Sequence, residues 1–115
     1  MNLRSIEKGI KIEREFYIMK KFEEAFKKNI KKLELYVPIV ERVHGKNNPE
    51  FYDVRKLFDQ INEKVKNAES VKPELDNEFK QLREITDNYT VPEDVCESYE
   101  AVYKMLEEVD KAYQA

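Results

Sequence analysis

The chain has 115 residues, room for one hydrophobic core and too few for two. Charged residues make up 39% of it against two glycines and four prolines, which favours a helical bundle over a β-rich fold. A net charge of −3, one cysteine and no apolar run near ~18 residues argue against a polyanion-binding surface, a disulfide framework and a membrane span.

The first segment, "MNLRSIEKGIKIEREF", lacks the continuous apolar stretch and small-residue cleavage site of a secretory leader, so a reducing, cytoplasmic setting is the expectation. From there Phe16, Met19, Phe26, Ile30, Leu33, Val37 and Val40 recur at alternating steps of three and four. Position 23 belongs to that series and is a glutamate. The spacing predicts a helix with one apolar stripe, a polar intrusion at Glu23 and a kink at Pro38. His44 would close the last turn, with Gly45 as a left-handed C-cap. The basic run "KKFEEAFKKNIKK" mixes Lys with Glu and reads as a solvated face rather than a phosphate clamp.

From Ser5 to His44 such a helix would be about 60 Å long, far longer than its successors. Ile6 and Ile10 are out of phase with the later stripe. Residues 1–15 are therefore expected to form a helical extension, and 16–115 the bundle. Either a break falls between Gly9 and Arg14, or the extension overhangs. An overhanging face with Leu3, Ile6, Ile10 and Ile12 would be covered by a second copy or another protein.

Asn48, Pro49 and Glu50 form an N-cap, a first-turn proline and a dipole-matched acid for the second helix. It carries Phe51, Val54, Phe58, Ile61, Val65 and Ala68 at helical spacing. Pro73 opens the third, with Leu75, Phe79, Leu82 and Ile85. Thr90 and Glu93 have the spacing of a capping box for the fourth, which carries Val95, Tyr99, Val102, Leu106, Val109 and Tyr113. Helices two to four are each expected to run about 17 to 22 residues, near 25 to 33 Å. Short connections make sequential helices antiparallel, and the expected fold is an all-α, up-down-up-down four-helix bundle.

Two segments, "VERVHGKNNPEF" and "LREITDNYTVPEDVCESYEAVYKMLEEVD", carry a resemblance. They resemble the hemerythrin-like domain of the bacterial iron–sulfur-cluster repair di-iron proteins, which are linked to recovery from nitrosative and oxidative stress. The matching positions are Val43-His44, then Thr86, Pro92, Cys96 and Tyr99, and the likeness spans about 16–113 apart from "AESVKPELDN". The resemblance implies a four-helix bundle holding two irons in its core by histidines from all four helices and bridging carboxylates. Carried over position by position, the first-helix histidine falls on Glu23 and the second on Ala68. A carboxylate falls near Lys72, the third histidine between Lys72 and Asp76, and the fourth just beyond Ala115. None of these positions holds a histidine. His44, 21 residues from Glu23 and so about 31 Å away along a straight helix, cannot share a metal with it in one chain.

The resemblance therefore implies a degenerate relative. The expected function is a metal-free binding or regulatory module with no resident cofactor, acting through a homodimer or a protein partner and not through nucleic acid or membrane. The alternative is a metal-binding protein of the same repair or stress response, with iron held by carboxylates or between chains. Glu23 marks the vestigial site. Cys96 lies near the start of the fourth helix, where a helix N-terminus can lower a thiol pKa, but a half-buried apolar role is the plainer one. With one histidine, no glycine-rich phosphate loop and no Ser-His-Asp arrangement, an enzyme is not expected.

Overall fold

A computed structural model describes the backbone of residues 3–69 and 72–115, and the side chains of residues 13–69 and 72–115. Four α-helices and no strand are found among the described residues: α1 Leu3–His44, α2 Glu50–Asn67, α3 Asp76–Ile85 and α4 Glu97–Gln114. The molecule measures 62 × 25 × 20 Å, its long dimension matching the ~63 Å of a 42-residue helix.

α1 runs unbroken from Leu3, so no interruption separates 9 from 14. The expected contacts of Leu3, Ile6, Ile10 and Ile12 lie outside the described side chains. Pro38 sits inside the helix on its exposed side, where the carbonyl freed by the missing N–H can meet water. α4 is the main cover of α1. The two run in opposite directions: Phe22 meets Tyr113, Lys28 bridges to Glu108 at 2.8 Å, and His44 meets Cys96. α2 also runs against α1, with Arg55 on Glu41 at 3.2 Å and Lys66 on Glu34 at 3.8 Å.

The core contains the stripes read from the sequence: Phe26, Leu33, Val37 and Val40 from α1, Phe51, Val54, Phe58 and Ile61 from α2, and Leu75, Phe79 and Leu82 at α3. α4 adds Tyr99, Val102, Leu106, Val109 and Tyr113. Several expectations fail locally. Phe16 is exposed, and Phe22, outside the expected series, is 1% exposed. Gly45 is not a left-handed cap, because its φ is not positive. Its N–H donates to the Glu41 carbonyl at 2.9 Å, and it is glycine because a Cβ would stand 2.5 Å from that carbonyl and 2.6 Å from the Tyr52 ring.

α2 begins with Pro49 already in helical backbone and without a side-chain cap from Asn48. α3 has ten residues, well short of the expected 17 to 22. It stops because Asp87, Asn88 and Tyr89 all take left-handed φ, at 52°, 56° and 60°. The Thr90–Glu93 capping box does not form, since α4 starts only at Glu97 and the Thr90 hydroxyl donates to the Asp87 carbonyl at 2.6 Å. Pro92 and left-handed Asp94 keep the intervening chain out of helix.

Candidate functional site

Glu23 is half-buried rather than in the core. With Phe22, Phe26, Lys27, Val65 and Glu69 it lines a shallow groove of about 230 Å³ where α1 passes the end of α2. Ala68, the other carried-over position, caps α2 beside this groove. Of its walls, Phe22 packs on Phe26 and, away from the groove, edge-on to Tyr113, with centroids 5.9 and 5.5 Å apart, and Tyr113 meets Phe79 at 5.2 Å. Lys72 lays its ammonium 4.2 Å from the centre of the Tyr113 ring. Tyr113 is fixed in turn: its hydroxyl accepts the Leu75 N–H at 2.9 Å and donates to the Pro73 carbonyl at 3.3 Å.

This lining does not fit a di-iron centre. Iron needs several imidazole and carboxylate donors converging on one point. The positions named by the resemblance offer a rim carboxylate, an alanine and an ammonium, backed by aromatic rings. Among the described residues no group of three or more His, Cys, Asp or Glu side chains converges as a metal site would require.

The other end of α1 brings together the two resembling segments. His44 Nε2 and Cys96 Sγ lie 3.1 Å apart and share one hydrogen bond. The imidazole stands edge-on to the Tyr99 ring, at 5.5 Å and 88°. Tyr99 is fully buried; its hydroxyl donates to Glu50 at 3.2 Å and meets the Tyr103 hydroxyl at 3.1 Å. Burial first, then the neighbouring Tyr103 and Glu50, push the Tyr99 hydroxyl well above the usual phenol range. His44 is thus a half-buried helix-end residue, as the sequence implies. Cys96 is exposed, with extended backbone at the N-cap position of α4, rather than half-buried among apolar side chains.

A polar centre not foreseen in the sequence lies on Asp110, which is 3% exposed. It accepts hydrogen bonds from Arg83 at 3.0 and 3.2 Å, Tyr89 at 2.7 Å and Gln114 at 3.3 Å. Together with Thr86, whose hydroxyl accepts the Tyr89 N–H at 2.8 Å, it holds the left-handed turn against α4. Burial, and then Asp110 itself, push the Tyr89 hydroxyl far up. Asp110 is in phase with Leu106 and Tyr113, and that was the available signal. Asn29, 5% exposed, is the true polar intrusion in α1, donating to the Ala25 carbonyl at 2.9 Å and to Glu108 at 3.3 Å.

On the outer side of α1, Leu35 and Val43 are each 60% exposed and Ile39 is 37% exposed. Their four-residue spacing, visible in the sequence as a second series beside the core stripe, makes one apolar strip. No protein-family model and no solved structure matches this chain.

Proposed function

We propose that the chain is a degenerate hemerythrin-like bundle, up-down-up-down in topology, that acts without metal as a binding or regulatory module in the cytoplasm. Its partner is a second copy or another protein, and it is not an enzyme. The observation carrying this reading is the aromatic layer of Phe22, Phe26, Phe79 and Tyr113, with Lys72 over Tyr113, at the level of Glu23. Apolar rings and a cation there stabilise a packed interior and repel a metal cation. Further support comes from the direct contact of His44 with Cys96 and Tyr99, which joins the two segments resembling the repair family. No helix among the described residues is long and apolar enough to cross a membrane.

Iron content tests the reading. Protein purified without chelator is expected to carry well under one iron per chain and to show no oxo-bridge absorption. Stoichiometric iron on which activity depends would overturn it in favour of a metal-binding relative, with iron held by carboxylates or between chains.

A further inference from the structure

The chain is acidic overall, yet the outer side of α1 is basic as well as apolar. Lys31 and Lys32 stand four and three residues before Leu35, and Arg42 and Lys46 stand three residues after Ile39 and Val43. Lys31, Lys32 and Arg42 are therefore surface neighbours of the strip along α1, and Lys46 lies in the turn just past its end. All four are exposed, and among the described residues none forms an ion pair. The acids of the same stretch, Glu34 and Glu41, are paired with Lys66 and Arg55 of α2. The strip is thus bordered by uncompensated positive charge.

We propose that Leu35, Ile39 and Val43, with Lys31, Lys32, Arg42 and Lys46, dock an amphipathic helix of another protein whose apolar side is edged by carboxylates. The complement is electrostatic as well as apolar: four unpaired cations call for an acidic border. A second copy fits poorly. Antiparallel pairing of two such strips, Leu35 of each on Val43 of the other, brings Lys32 toward Lys46, like on like. A lipid surface also fits less well. Three aliphatic side chains over about 12 Å make a ridge one helix wide, not the broad face with aromatic anchors that lies in a bilayer. A four-residue ridge packs best into the matching groove of a partner helix at about 50°, so the contact is short and a ligand of about three turns fills it.

The inference rests on the reading of the chain as a binding module. Iron content and peptide binding fail independently, so the two can be told apart. The probe is a stapled helix of about three turns with leucines on one side and glutamates along its edges, and a twin with lysine for each glutamate. Fluorescence anisotropy at physiological salt should show the acidic helix binding at least about tenfold tighter than the twin. Leu35→Asp or Val43→Asp, both at exposed positions, should weaken it about tenfold with the circular dichroism unchanged. Lys31→Glu combined with Arg42→Glu should invert the preference. Equal or absent binding of the two helices, or indifference to these substitutions, would overturn the proposal. So would light scattering showing a dimer that Leu35→Asp dissolves. Pelleting with phosphatidylglycerol-containing vesicles, without peptide binding, would assign the strip to lipid instead.

Discussion

Two carboxylates show how little a residue's type says about its role. Glu23 looked like a core intrusion and stands half-buried on a groove, whereas Asp110 looked like one more acid in "EEVDK" and is enclosed. Removing Asp110 strands the Arg83 guanidinium and the Tyr89 hydroxyl, so Asp110→Ala is expected to cost about 2–4 kcal/mol. Glu23→Leu relieves no buried charge and should change stability by less than about 0.5 kcal/mol. Urea denaturation of both variants at neutral pH compares them. A large gain from Glu23→Leu would return the polar intrusion to that position.

The elements explain why the sequence misled there. Alternating steps of three and four average 3.5 residues, whereas a straight helix turns every 3.6, so the series drifts by about 20° per heptad. Anchored at Val40, where it faces the core, it has swung aside by Glu23 and Phe16, and Phe22 takes the inward place. The short stripes of α2 and α4 leave no room for such drift, and their core residues were legible. The end of α3 was not, because its left-handed turn uses Asp, Asn and Tyr rather than glycine. "DN" tolerates that backbone; Tyr89 adopts it only because Thr86 and Asp110 hold it. The pairing of His44 with Cys96 was equally hidden, since it depends on how α1 and α4 meet. At the end of α1, Gly45→Ala should destabilise by about 1–2 kcal/mol, because the new methyl meets the Glu41 carbonyl and the Tyr52 ring. Adding Tyr52→Ala should recover only part of that loss in thermal denaturation. Full recovery would mean the carbonyl contact relaxes freely.

For the whole molecule, buried phenols set an alkaline limit. Tyr89, Tyr99, Tyr103 and Tyr113 all have hydroxyls pushed up, chiefly by burial. Below the unfolded phenol value of about 10, both states keep these protons and stability is unaffected. Above it the unfolded chain ionises first, so stability falls as pH rises. Tyrosinate absorbance from these four should therefore appear together with loss of helical circular dichroism. Their ionisation within an intact helical fold would contradict the burial described.

The pairing of α1 with α4 also bears on how the chain is made. His44 and Cys96 lie 52 residues apart, and Lys28 and Glu108 lie 80 apart. At roughly 5–20 residues per second, a ribosome finishes α1 several seconds before α4 begins. Through that interval the inward face of α1, with Phe22, Leu33, Val37 and Val40, lacks its principal cover. α2 and α3 can form early, but closure waits for the last helix and a long loop must be drawn in. The nascent chain is thus most vulnerable to aggregation until α4 has emerged, and a chaperone would meet it there, on the opposite side of α1 from the basic strip.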